Sequence, residues 1–166
     1  MTRRLILMRH AKSDWDDPAL SDHDRPLNPR GRRDAPKIGA WLRARGFVPD
    51  VALVSSARRT QETWEQLAPI LGGAIPMQSL PGLYHADADA ILAHLRAQTA
   101  PTVLVIGHNP GIGDCASRLL DRPLPHPRFL DYPTGATLVA DGPDKDWAML
   151  DWRSAQAVDF TVPREL

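Results

Sequence analysis

Three short apolar runs, Leu5-Ile6-Leu7-Met8, Val51-Ala52-Leu53-Val54 and Thr102-Val103-Leu104-Val105-Ile106, each stop abruptly at residues able to handle an anion. Apolar runs without polar alternation read as strands buried on both faces, and each of these is followed by a helical pattern. Strand, loop and helix repeated in this way specify an α/β domain with a mostly parallel central sheet covered on both sides, a three-layer α/β/α sandwich. Ligands of such sheets lie beyond the carboxyl ends of the strands. The residues delivered to that edge are Arg9 and His10, then Ser55 to Thr63 with Arg58 and Arg59, then Gly107-His108-Asn109.

A chain of 166 residues fits one domain, 1–166, with a core large enough to need no disulfide or metal staple. The single cysteine, Cys115, reads as a small core residue and favours a reducing, cytoplasmic setting. The apolar run behind Arg3 and Arg4 breaks at Arg9, too early for a signal sequence or a membrane span. Basic and acidic residues balance at 20 each, so neither nucleic acid nor a membrane surface is expected as a partner. Charge is uneven locally. Arg25, Arg30, Arg32, Arg33 and Lys37 face only Asp34 within one segment, which reads as a solvated helix face that also favours anions nearby.

Read in order, Asn28-Pro29 starts a helix with Asn as its cap, Pro36 predicts a kink or a late start, and Gly46 ends it. A serine at 55 or 56 is expected to cap the next helix, on which Thr60, Trp64, Leu67 and Leu71 recur at helical spacing. One of Arg58 and Arg59 points inward and the other to solvent, since adjacent helical positions do not share a face. Gln78-Ser79-Leu80 is a short strand, and Asp87 caps a helix carrying Ile91, Leu92 and Leu95. The segment from Asp121 to Pro133 is proline-rich and stiff, placed to roof the cleft. Ala136 to Ala140 and Trp147 to Trp152 read as a closing hairpin around Asp141-Gly142-Pro143, with a loose tail after Phe160.

Two guanidiniums and two imidazoles converging on one point suit a tetrahedral dianion and supply a nucleophile to attack it. Ser13 adds a hydroxyl for the same anion. Metal binding is the rival use of paired histidines, but no carboxylate or thiolate stands at ligand spacing beside either one, so neither metal nor cofactor is expected. No glycine-rich loop with its Lys-Ser/Thr pair is present either.

These segments resemble the histidine phosphatase superfamily, also called phosphoglycerate mutase-like, and within it the small SixA-type phosphohistidine phosphatases. Met8-Arg9-His10-Ala11-Lys12-Ser13 is similar to the Arg-His-Gly or Arg-His-Ala signature, and Leu27-Asn28-Pro29-Arg30-Gly31 with Ala35 to the Leu-Thr-x-x-Gly-x-x-x-Ala helix start. Ser55 to Thr63 is similar to Ser-x-x-x-Arg-x-x-x-Thr, which selects Arg59 over Arg58. Gly107-His108-Asn109 resembles the second histidine motif, and Pro133-Thr134-Gly135-Ala136 a segment of the SixA-like branch.

The resemblance implies a phosphoglycerate mutase-like fold and a metal-independent phosphatase in which neutral His10 attacks phosphorus and water hydrolyses the phosphohistidine. His10 would present one ring nitrogen while the other donates to a backbone carbonyl. Arg9, Arg59 and His108 would hold the phosphoryl oxygens, with Ser13, Lys12 and Asn109 as further substrate-binding candidates. Many relatives carry a proton-donating acid in a Leu-x-Glu context, whereas Leu80-Pro81-Gly82 has none, leaving Asp87 or Asp89 as substitutes. Asp16, where mutase-type members often have Asn, would be an extra anion near the phosphate. The missing acid and the shortness of the chain favour phosphohistidine on a protein partner such as a histidine phosphotransfer domain. A small-molecule phosphomonoesterase or mutase and a noncatalytic phosphohistidine-binding module are the alternatives.

Overall fold

The three apolar runs form the middle of one sheet. A computed structural model describes residues 2–166. In chain order the elements are β1 (Arg4–Arg9), α1 (Pro29–Ala44), β2 (Val51–Ser55), α2 (Arg58–Leu71), β3 (Met77–Leu80), α3 (Ala88–Arg96), β4 (Thr102–Gly107), α4 (Gly111–Leu119), β5 (Thr137–Asp141) and β6 (Gln156–Thr161). The sheet order is β3-β2-β4-β1-β5-β6, parallel from β3 to β1, with β5 antiparallel to both its neighbours. This is the α/β sandwich expected, with a mostly parallel central sheet.

Side chains alternate across a strand, so each central strand feeds two cores. Ile6, Met8, Ala52, Val54, Leu104 and Ile106 pack with Ile38 and Leu42 of α1 and Trp64, Leu67 and Leu71 of α2. Leu5, Leu7, Leu53, Val103 and Val105 pack on the opposite face with Ile91, Leu92 and Leu95 of α3 and Ile112, Cys115, Ala116 and Leu119 of α4. Burying each large aliphatic side chain contributes about 1.5–3 kcal/mol, which holds the helices on the two faces of the sheet. Cys115 is fully buried, and burial pushes its thiol up to about 12. Among the described residues, no helix is long and apolar enough to cross a membrane.

The topology creates the cleft. β1 and β4 are neighbours in register, Arg9 opposite Gly107, yet the helix after β1 covers one face of the sheet and the helix after β4 covers the other. The two chains diverge as they leave the sheet, opening a crevice at its carboxyl edge. His10 and His108 are the next residue on each.

Several local expectations change. α1 begins at Pro29, where the Asn28 side chain accepts the Gly31 N–H, and it runs through Pro36 to Ala44 with no late start. Burial of Ala35, Ile38 and Leu42 offsets the one hydrogen bond that Pro36 removes. The partner of β5 is β6, not Trp147 to Trp152. Trp147–Met149 forms a 3-10 turn instead, with the Trp147 ring fully buried and its Nε1 donating to Ala100 O at 2.6 Å. That apolar cluster is a plug for the core. The tail is not loose: Thr161, Val162 and Pro163 are buried, and Pro163 packs so closely on Gly135 that a Cβ there would sit 2.4 Å from its ring.

Candidate active site

His10 follows β1 directly and is buried. Its Nδ1 lies 2.7 Å from Ala11 O, and since a carbonyl can only accept, Nδ1 carries the proton and Nε2 keeps its lone pair. Burial drives the ring pKa down to about 3, against the pull of the Ala11 carbonyl and with help from Arg9 and Arg59, so the imidazole is neutral at physiological pH. This is the tautomer needed for attack through Nε2.

His108 stands 5.4 Å away, ring centre to ring centre. Its Nε2 lies 2.7 Å from Ser55 Oγ, which itself accepts the Ala57 N–H at 3.3 Å. Nε2 and the hydroxyl are therefore hydrogen-bonded to each other, while the other ring nitrogen, Nδ1, is buried with no hydrogen-bond partner in the protein. Burial, then the neighbouring His10 and Arg59, lower this pKa to about 3 as well. Ser55 was expected to cap α2, but it is the last residue of β2 and its hydroxyl serves His108. The residue before α2 is Ala57, which offers no side-chain cap.

The cations arrive from two elements. Arg59, in the first turn of α2, is buried, with Nη1 donating to Asp22 O at 2.6 Å and Nη2 to Asp22 Oδ2 at 3.1 Å. Arg58 points away and pairs with Glu62 at 2.9 Å, half-exposed. Thr63 Oγ1 accepts the Ala11 N–H and donates to Arg59 O, which ties the loop after β1 to this helix. Arg9 donates from Nη1 to Tyr132 O at 3.3 Å, while its Nε is buried without a partner. Burial, and then Arg59, lower the Arg9 pKa from its ordinary value.

These groups enclose a polar cavity of about 230 Å³ whose wall includes all seven residues singled out from sequence: Arg9, His10, Lys12, Ser13, Arg59, His108 and Asn109. Two of their buried nitrogens, Arg9 Nε and His108 Nδ1, find no partner in the protein. A buried guanidinium N–H without an acceptor is costly unless a ligand satisfies it, and Arg9 beside Arg59 in this wall suits an anion. Ser13 is buried, and its Oγ accepts the Trp15 Nε1–H at 3.0 Å. Asn109 spends its amide on the protein, donating to Asp131 O and Tyr132 O and accepting the Gly113 N–H, so it holds the 131–132 loop against α4.

The acids are not where the sequence suggested. Asp87 caps α3 through the Ala90 N–H, Asp89 lies at the surface 3.8 Å from Arg118, and Asp16 is exposed and lines no part of the cavity. The carboxylate in the wall is Asp22, held by Arg59, Tyr84 and His85. No spacing rule links residues 22, 59 and 84; the one available signal was the density of charge in Ser21-Asp22-His23-Asp24-Arg25. The proline-rich segment divides in two. Pro123, Pro125 and Pro127 line a larger groove of about 880 Å³ that shares no residue with the cavity, whereas Asp131 and Pro133 line a pocket adjoining the site through Arg9, Lys12 and Thr134, and Tyr132 O accepts from Arg9. Among the described residues no three His, Cys, Asp or Glu side chains are grouped to hold a metal ion.

Comparison with known proteins agrees with this geometry. The chain is 35% identical over 130 residues to an uncharacterized chloroplastic protein of Arabidopsis thaliana, covering 72% of this chain and 60% of that protein. It is 30% identical over 120 residues to the phosphohistidine phosphatase SixA of Escherichia coli, covering 70% and 73% of the two chains. A solved structure of a candidate phosphohistidine phosphatase SixA from Nakamurella multipartitia superposes with a TM-score of 0.84 at 31% identity, over 98% of this chain and 97% of that one. The profile of the histidine phosphatase superfamily (branch 1) matches residues 5–90, and with His10 and His108 facing each other across one anion pocket, the chain belongs to that superfamily.

Proposed function

We propose that this protein is a metal-independent phosphatase that removes the phosphoryl group from phosphohistidine on a protein, with residues 1–166 acting as one catalytic unit. The observation that carries the reading is the His10 ring, neutral and locked with Nε2 unprotonated, beside the buried Arg59 guanidinium and the unpartnered N–H of Arg9 Nε. The Nε2 lone pair forms a bond to phosphorus as the substrate P–N bond breaks and its electron pair returns to the leaving imidazole. Water then attacks the phosphohistidine, releasing inorganic phosphate and restoring neutral His10. Arg9, Arg59 and His108 hold the phosphoryl oxygens through both steps, so their contribution is orientation and charge stabilisation.

The leaving group narrows the substrate. An alkoxide needs a proton donor, and the turn after β3, Leu80-Pro81-Gly82, supplies none. Burial would push the Asp22 carboxyl up, but hydrogen bonds from Tyr84 and Arg59 and the Arg59 charge outweigh it and hold the pKa below its ordinary value. Asp22 is therefore ionised near neutral pH and is a poor acid. An imidazole whose second nitrogen already carries a proton leaves as a neutral ring without such help. The similarity to SixA of Escherichia coli, named a phosphohistidine phosphatase, supports the same substrate class, and the single buried cysteine is consistent with a phosphorylated protein partner met in the reducing cytoplasm.

The test is a direct competition. Purified protein is given a phosphorylated histidine phosphotransfer domain and a panel of phosphomonoesters, with and without chelator, and the enzyme is quenched to trap an acid-labile phosphoenzyme. Preferred turnover of phosphohistidine, indifferent to chelator, is expected. Faster turnover of phosphoserine or sugar phosphates, or abolition by chelator, overturns the proposal.

A further inference from the structure

Asp22 is out of place in a pocket built for a dianion. It lines the same cavity as Arg9, Lys12 and Arg59, and a carboxylate there opposes any phosphoryl group that binds. Its geometry is nevertheless specific. One oxygen, Oδ2, takes the Tyr84 hydroxyl at 2.5 Å, Arg59 Nη2 at 3.1 Å and His85 Nε2 at 3.2 Å. The other, Oδ1, accepts from no protein donor, although Asp22 is a third exposed at the cavity wall. The turn carrying it is pinned by Ser21, whose hydroxyl accepts the Asp24 N–H.

Planar groups surround this carboxylate. Tyr84 and His85 stack at 4.1 Å, Tyr84 meets His23 edge-on at 4.8 Å, and Trp15 lies 58% exposed on the same wall. A flat ring fits there, and a negative charge beside bound phosphoryl is useful only when the rest of the substrate is positive.

Accepting phosphohistidine as the substrate, we infer that Asp22 is the specificity-determining residue of this site, its open oxygen receiving the ring N–H of a protonated, N-phosphorylated imidazole. In that form one ring nitrogen bears phosphorus and the other a proton. When His10 displaces it, the P–N electron pair neutralises the ring, which departs as imidazole with the proton it already had. Asp22 neither gives nor takes a proton; it stabilises the cationic, reactive form of the substrate before the bond breaks. Its influence thus falls on KM and on the pH at which phosphohistidine loses its ring proton. A serine or sugar phosphate has no such charge and meets only repulsion.

The groups facing Asp22 are Arg59 from α2, Tyr84 and His85 from the segment after β3, His23 and Asp24 on its own turn, and His10 and His108 across the cavity. Because His85 Nε2 lies 3.2 Å from Asp22 Oδ2, His85→Gln accompanies the test as a control.

The experiment compares kcat and KM for a phosphohistidine peptide and for p-nitrophenyl phosphate in the wild-type protein, Asp22→Asn, Asp22→Ser and Asp22→Glu. The uncharged variants are expected to lower the phosphohistidine-to-aryl ratio of kcat/KM by about tenfold or more, mainly through KM. They also move the alkaline limb of the phosphohistidine profile to lower pH, a shift that His85→Gln does not reproduce. Asp22→Glu keeps the ratio within about threefold of wild type. An equal loss on both substrates shows that Asp22 merely props Arg59 and overturns the inference. If the wild type hydrolyses the aryl ester but not phosphohistidine, the proposed function fails instead. Asp22 is then judged by the same ratio on phosphoramidate, whose nitrogen also bears a positive charge before the P–N bond breaks.

Discussion

Two concavities of this molecule invite a ligand, and the smaller is the better candidate. The groove behind the proline-rich segment is nearly four times the volume of the cavity at the strand ends, with Phe129, Leu130 and Trp152 in its walls. Its polar atoms are satisfied or solvated, as where the Arg118 guanidinium lies 4.0 Å over the Trp152 ring. The strand-end cavity is cramped, charged and electrostatically unfinished, with Arg9 Nε and His108 Nδ1 buried and unanswered. Room is a poor guide to chemistry here, whereas uncompensated polar groups are a good one.

The contrast can be broken most sharply at the nucleophile. Replacing His10 by Ala is expected to lower turnover by roughly a thousandfold or more and to eliminate the acid-labile phosphoenzyme, measured by quench and by steady-state assay. Activity surviving within a few-fold would move the chemistry elsewhere. Arg59→Ala comes next, at about 3 kcal/mol of transition-state stabilisation, while Arg58→Ala, which loses only an exposed pair with Glu62, changes kcat/KM by less than about threefold. A reversed ranking would place the wrong face of α2 at the cavity.

Smaller effects sharpen the picture. Ser55→Ala leaves His108 Nε2 without its hydrogen-bond partner and should cost about 1 kcal/mol in kcat/KM, with Ser55→Thr restoring part of it. The histidines also make stability depend on pH. Unfolded, they titrate near 6.5; folded, near 3, so between these values the unfolded chain binds more protons. Stability is then fully present above about pH 6.5 and declines as pH falls toward 3, read as a lower denaturant midpoint at pH 5 than at pH 7. Substituting both rings by Asn should flatten that dependence. At the bottom of the scale, Leu130→Ser in the large groove should leave kcat/KM within about twofold, since Leu130 is 83% exposed and touches no part of the catalytic cavity.

What could be read in advance follows the strength of local signals. The central strands and the delivery of Arg9, His10, Arg59 and His108 to one edge were legible because buried strands and helix starts leave marks within about ten residues of sequence. The choice of Arg59 over Arg58 needed a longer pattern, since either could face inward on helical geometry alone. β6 was missed because an edge strand exposes Gln156, Ala157 and Val158 and lacks an apolar run, while the apolar Trp147 cluster mimics a strand and instead fills the core. Asp22 was missed for a different reason. Its partners lie 37 and 62 positions away, and nothing in the one-dimensional pattern records that they meet.

Tyr132 has a consequence for the order in which the molecule comes into being. Its buried hydroxyl bridges Leu7 O and Leu138 N, and its carbonyl accepts from Arg9 and Asn109. Residues of β1 are thus held in place by a residue synthesised more than a hundred positions later. A nascent chain that has not yet reached Tyr132 would carry Arg9, His10 and Arg59 without the carbonyl that holds the first of them, so the cavity is completed late in synthesis.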